Sequence, residues 1–160
     1  MFAEGIMSLE GKQAPEFTLA GSDGREHTLG EYRGRRVVIY FYPRDNTPGC
    51  TKEACAFRDL DQELKGRGVV LLGVSRDSLK SHDKFIRDFG LPFTLLSDPD
   101  ASMMTAYGAF GEKVLYGKKS MGVIRSTVVV GPDGTVLRHW TKVAKAESHP
   151  AEVAAFLEKL

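Results

Sequence analysis

A chain of 160 residues, 42% of them hydrophobic and 27% charged, has the size and composition of one globular domain and not of a disordered chain. Its 22 Lys and Arg against 21 Asp and Glu leave a formal charge of +1, without a basic stripe for nucleic acid or an acidic tail, so the expected partner is a small molecule or another protein. The first ten residues lack a basic start and an apolar run fit for a secretory signal, and no stretch approaches the roughly 18 apolar residues of a membrane span. The expectation is a soluble, cytoplasmic protein, a single domain over 1–160 in which 1–7 form a flexible N-terminal extension.

Residues 16–19 and 27–29 alternate polar and apolar around Gly21, Ser22, Asp23 and Gly24, which predicts a β-hairpin beside the core. The run from Val37 to Phe41 is apolar without alternation, the pattern of a central strand buried on both faces. From Thr51 to Lys65, Ala54, Phe57, Leu60 and Leu64 recur at helical spacing, with Lys52, Glu53, Arg58, Asp59 and Glu63 on other faces. Gly66 and Gly68 end that helix. A second buried strand (69–74), a helix from Ser78 to Phe89 closed by Gly90, and a third strand (93–96) follow. Residues 101–110 predict a short helix with Met103, Met104 and Tyr107 on its core side, and the polar, glycine-containing stretch 111–122 is assigned no element. A strand over 123–130, the turn Gly131-Pro132-Asp133-Gly134 and a strand over 136–140 form a hairpin. Ser148 caps a last helix with Pro150 in its first turn and Val153, Phe156, Leu157 and Leu160 buried. This order predicts an α/β, thioredoxin-like fold with a mixed central sheet, flanking helices and an N-terminal β-hairpin.

Both cysteines fall where the first buried strand hands over to a helix. A helix start offers free N–H donors and about half a positive charge, which favour a thiolate at Cys50. Arg125, a lone charge in an apolar strand, is the candidate cationic partner; an edge-strand arginine pointing at solvent is the alternative. Thr47 lies three residues before Cys50, close enough for its hydroxyl to orient a substrate with two adjacent oxygens, while Pro43 and Pro48 stiffen the loop. Ordinary turn chemistry is the plain reading of each.

Cys55 follows Cys50 at i+5. In a regular helix that is a rise of ~7.5 Å and a turn of ~140°, placing the Cα atoms ~8.7 Å apart. A disulfide needs roughly 4.4–6.8 Å. A bridge between the two therefore requires the first helical turns to unwind, so the segment would have two shapes. Two inert buried thiols remain a reading of the pair. A zinc site is disfavoured, because His27, His82, His139 and His149 show no ligand spacing, and a Cys-x-x-Cys reductase is disfavoured by the four intervening residues.

The segment from Tyr42 to Cys50, of the form Pro-x-x-x-Thr-x-x-Cys, resembles the active-site signature of the peroxiredoxins. Thr47-Pro48-Gly49-Cys50-Thr51-Lys52-Glu53-Ala54-Cys55 is similar to the Q-type subfamily, also called bacterioferritin-comigratory proteins, as are Ala14 to Phe17, Leu95 to Asp98, Gly108 to Lys113 and Ile124 to Thr127. The resemblance implies a thiol peroxidase in which Cys50 attacks hydrogen peroxide or an alkyl hydroperoxide, Thr47 orients it, Arg125 stabilises thiolate and leaving oxygen, and Pro43 shields the sulfenic acid. It implies that Cys55 resolves that acid into a Cys50–Cys55 disulfide recycled by thioredoxin or a similar dithiol protein, in a monomer, with no metal or organic cofactor because sulfur carries the two electrons. For Glu53 it implies a polar helix residue near Arg125, a solvated helix charge being the alternative. A redox sensor or holdase switched by the same disulfide is the rival function.

Overall fold

The computed structural model describes residues 8–160, so the extension expected over 1–7 lies outside the described residues. The chain forms β1 (Thr18–Gly21), β2 (Glu26–Thr28), a 3-10 turn (Leu29–Tyr32), β3 (Arg36–Phe41), α1 (Pro48–Gly66), β4 (Val69–Ser75), α2 (Leu79–Phe89) and β5 (Thr94–Ser97). It continues through α3 (Ser102–Ala106), β6 (Phe110–Leu115), β7 (Lys118–Val123), β8 (Ser126–Val130), β9 (Val136–Trp140) and α4 (His149–Glu158). Seven strands make one sheet in the order β2-β1-β5-β4-β3-β8-β9.

At the middle of that sheet β3 pairs in parallel with β4 and antiparallel with β8, so the sheet is mixed and the fold is the thioredoxin-like α/β arrangement expected. The absence of alternation in β3 has a direct cause. Val38 and Tyr40 point into a cluster with Phe57, Phe85 and Leu157, under α1, α2 and α4, whereas Val37, Ile39 and Phe41 point into a second cluster with Met104 and Tyr107 beside α3. Both faces being covered, a polar residue on β3 would be stranded away from water. Phe57 lies against Tyr40 at 4.6 Å between ring centroids, and truncating so deeply buried an aromatic costs about 3–5 kcal/mol. The N-terminal hairpin does not stand apart: β1 pairs antiparallel with β5 and so extends the sheet.

Several expectations are corrected. Helix α1 begins at Pro48, three residues earlier than the apolar pattern, because Pro supplies a helical φ at a position whose N–H needs no partner. On it, Leu60 is only half-buried while Glu53 and Asp61 are buried. Helix α3 is shorter than 101–110, and Phe110 already belongs to β6. Residues 111–122, left unassigned, form the β6–β7 hairpin, a two-stranded sheet of its own turned at Tyr116 and Gly117, both at positive φ as a two-residue primed turn requires. The strand expected over 123–130 is broken: Val123 ends β7, Ser126 starts β8, and Ile124 and Arg125 form the step between two sheets. Leu160 lies past the end of α4 and is 47% exposed. Ser148 stands at the cap position of α4 without a side-chain cap bond; there His149 ties the helix to β8 through Nε2 and Thr127 Oγ1 at 2.9 Å. Among the described residues no helix is long and apolar enough to cross a membrane.

Candidate active site

The loop from Tyr42 to Thr47 leaves the end of β3 and feeds directly into α1, with Thr47 at the cap position in extended conformation. Cys50 is the third helical residue and only 1% exposed. The first intrahelical bond runs from the Thr51 N–H to the Thr47 carbonyl at 2.8 Å, so the Gly49 and Cys50 N–H groups before it have no intrahelical acceptor and the thiol sits over the positive end of the helix.

Arg125 arrives from the other side. The antiparallel register pairs Phe41 with Ser126, which sets Arg125 beside the start of the loop after β3. Its Nη2 donates to Cys50 Sγ at 3.3 Å and its Nη1 to Glu53 Oε1 at 2.6 Å. The arginine side chain is 17% exposed, so the solvent-facing alternative does not hold. Cys50 and Glu53 lie one turn apart on the same face of α1, and the guanidinium spans them. Gly49 makes room for it, because a Cβ there would come within 3.3 Å of Arg125 Nη2.

Glu53 is completely buried and is not the solvated helix charge that its surroundings in the sequence allowed. Its Oε2 has no hydrogen-bond partner among the described residues. Burial pushes its carboxyl up to about 7 although the neighbouring guanidinium pulls it down. Burial also works against the charge of Arg125, but Glu53 and Cys50 outweigh it and hold the guanidinium pKa above its ordinary value.

A raised carboxyl makes the folded protein hold a proton that the unfolded chain, at its ordinary value of 4.5, has released. Stability is therefore full below about pH 4.5 and falls as pH rises through about 7. At 1.36 kcal/mol per pH unit the loss from this one group reaches about 3 kcal/mol. Glu53→Gln keeps the shape and loses the titration. Urea melts at pH 5 and pH 8 should differ less for the variant than for the parent by up to about that amount; equal differences would mean that Glu53 does not titrate in this window.

Thr47 Oγ1 donates to the Arg44 carbonyl at 2.8 Å and is half-buried, as is Pro43 at the start of the loop. Cys55 is half-buried on the same uninterrupted helix, and both thiols are free. The structure thus brings Cys50, Arg125 and Glu53 into contact, places Thr47 at the mouth of the helix, and leaves Cys55 more than a turn away from Cys50. A further network was not anticipated. Asp45, in the same loop, meets His82 and Ser81 of α2, and with Asp77 and His82 it forms a set of possible metal ligands within 4.8 Å of one another. Their facing atoms are engaged in hydrogen bonds to each other and to Tyr42, Ser75 and Ser81. Nothing in the spacing of Asp45 and His82, 37 residues apart, announces this.

A cysteine at the first turn after the central strand of a thioredoxin-like sheet, held against a half-buried arginine, defines a thiol-dependent oxidoreductase. The AhpC/TSA family matches residues 10–139, and the chain belongs to that family as a peroxiredoxin of the Q or Bcp type. Its general activity is accordingly that of a peroxiredoxin. It is 39% identical over 155 residues to peroxiredoxin Bcp of Bacillus subtilis, covering 96% of this chain and 98% of that one. The bacterioferritin comigratory protein of Xanthomonas campestris superposes with a TM-score of 0.84 at 43% identity over 89% of this chain and 90% of its own. A PrxQ mutant from Xylella fastidiosa gives 0.89 at 35% identity over 97% and 98%.

Proposed function

We propose that this chain is a single-domain, monomeric, cytoplasmic thiol peroxidase that reduces hydrogen peroxide and alkyl hydroperoxides through Cys50 and Cys55 and is recycled by thioredoxin or a similar dithiol protein. The observation that carries the reading is the 3.3 Å contact between Arg125 Nη2 and Cys50 Sγ at the start of α1. The Xanthomonas campestris relative has alkyl peroxide reduction activity, which supports the substrate class.

In the first step the Cys50 thiolate attacks one oxygen of the peroxide. The S–O bond forms, the O–O bond breaks, and the departing hydroxide or alkoxide takes a proton to leave as water or alcohol. Arg125 faces the charge as it moves from sulfur to the leaving oxygen. Thr47 has already spent its hydroxyl proton on the Arg44 carbonyl, so its lone pairs face outward as an acceptor for the O–H of the peroxide. Pro43 shields the sulfenic acid at the loop's start. In the second step the first turns of α1 open, the Cys55 thiolate attacks the Cys50 sulfur, and the S–O bond breaks; the departing hydroxide takes up a proton, balancing the one Cys55 released, and leaves as water. Exchange with an external dithiol restores both thiols, and sulfur supplies every electron.

Steady-state peroxide consumption with thioredoxin, thioredoxin reductase and NADPH tests the reading; absence of multiple turnover would favour a disulfide switch over an enzyme. Cys55→Ser separates the two steps. One equivalent of peroxide should still convert Cys50 to sulfenic acid at close to the parental rate, seen by dimedone labelling, while no intramolecular disulfide forms and thioredoxin-coupled turnover falls about tenfold or more. Parental turnover in that variant would remove Cys55 from the resolving role.

A further inference from the structure

The loop that delivers Cys50 is tied down at a residue the reaction does not touch. Asp45 stands between Pro43 and Thr47, is 7% exposed, and receives three side chains. The Tyr42 hydroxyl donates to Oδ1 at 2.5 Å, the Ser81 hydroxyl donates to Oδ2 at 2.8 Å, and His82 Nδ1 lies 2.7 Å from the same Oδ2. The Asp45 N–H donates to Asp77 Oδ2 at 2.8 Å, and the Ser75 hydroxyl holds that oxygen from β4 at 2.7 Å. One loop residue is thus fastened to β4 and to the first turn of α2.

The histidine fixes the chemistry of the fastening. Its ring is fully buried, and Nε2 lies 3.0 Å from the Leu96 carbonyl of β5. A carbonyl only accepts, so Nε2 carries a proton. A bare Nδ1 lone pair would repel a carboxylate at 2.7 Å, so a second proton lies in the bridge between Nδ1 and Oδ2, whichever atom holds it. The Asp45–His82 unit is therefore neutral as a whole, and its inner hydrogen bond, at 2.7 Å, is short and fully buried. Burial holds the Tyr42 hydroxyl protonated, so it serves as donor on the opposite oxygen. Opening the loop parts this unit and turns a satisfied buried network into separate groups that need water.

We propose that Asp45, Ser81 and His82 form a latch that holds the loop over 42–49 and the first turn of α1 closed, and that the strength of this latch sets how often the segment opens to deliver Cys50 to Cys55. The closed shape keeps Cys50 on Arg125 for attack on peroxide; the open shape is the one in which the sulfenic acid is resolved. A sulfenate that waits in the closed shape is exposed to a second peroxide, which transfers an oxygen to sulfur, leaves as water or alcohol and yields sulfinic acid. The latch residues touch no reacting atom; they position the segment that does. The consequence for resolution rests on the proposed Cys50–Cys55 chemistry, whereas the latch itself is a property of the reduced protein.

Amide hydrogen exchange on the fully reduced parent, His82→Gln and Ser81→Ala tests it. His82→Gln should speed exchange over residues 44–55 about tenfold, and Ser81→Ala, which removes one half-buried hydroxyl, about threefold, with β8 and α4 unchanged. Rapid-mixing with one equivalent of hydrogen peroxide should show the first oxidation of Cys50 within twofold of the parent, because the closed shape still dominates, and disulfide formation accelerated by the same factors. Sulfinic acid formed at excess peroxide should fall in proportion. Unchanged exchange over 44–55 in both variants, or exchange raised evenly along the whole chain, would overturn the latch. If the parent forms no Cys50–Cys55 disulfide, the resolving role fails on its own, and the exchange pattern still decides the latch.

Discussion

Cys50→Ser is expected to bring peroxide consumption down to the rate of the buffer control, a loss of about a thousandfold or more, with the fold intact. A serine hydroxyl fits where the thiol fits, so packing under α1 changes little. The chemistry does not carry over, because oxygen at that position neither ionises near neutral pH nor accepts an oxygen atom from a peroxide. Competitive consumption of hydrogen peroxide, with circular dichroism as the folding control, makes the measurement. Residual turnover above a few per cent in the variant would move the nucleophile elsewhere, and Cys55 is the only other thiol.

Arg125→Ala is expected to slow the first oxidation of Cys50 about a hundredfold to a thousandfold, the usual cost of removing one donor aimed at developing charge. Two effects compete in this variant. Removing one partner of a buried ion pair commonly destabilises a protein by about 3–5 kcal/mol, because a charge is left stranded. Here the stranded partner is Glu53, whose carboxyl burial already pushes up to about 7. Without the guanidinium, burial keeps it protonated, which adds only about 1 kcal/mol to a penalty the native protein already carries. Activity should fall far more than stability. A stopped-flow trace of the first oxidation and a urea melt at pH 7 read the two, and Arg125→Ala with Glu53→Gln should melt close to the single variant. A collapse in stability without a change in the first oxidation would make Arg125 a structural ion-pair member only.

What the chain shows as a string is what depends on neighbours in the string. The unbroken apolar run of β3 reports burial on two faces, and the strand, loop and helix around Cys50 are readable because a proline, a glycine and a change of period mark them. Glu53 escaped this reading because its burial depends on a guanidinium brought in from the step just before β8; hydropathy assigns a glutamate to the solvent face unless its partner is known. Arg125 was rightly singled out as a lone charge, yet its strand was misdrawn: the change of sheet at Ile124 costs no apolar residue and leaves no gap in the pattern. The β6–β7 hairpin was missed because its exposed surface carries Lys113, Lys118 and Lys119 beside Val114, Tyr116 and Met121, so no alternation of polar and apolar residues marks the strands. The Asp45–His82 pair has no local signature, since it joins a loop to a helix across β4.

The pairing of β3 with β8 also has a consequence in time. Cys50 and Arg125 are 75 residues apart, and their meeting depends on one of the long-range strand pairings of the fold. During synthesis from the N-terminus, the segment carrying both thiols leaves the ribosome well before β8 exists. A nascent or truncated chain ending before Arg125 therefore carries its cysteines without the cation that faces Cys50. On the proposed assignment the site is complete only once the polypeptide has passed Arg125, and an unfinished chain carries both cysteines without that contact.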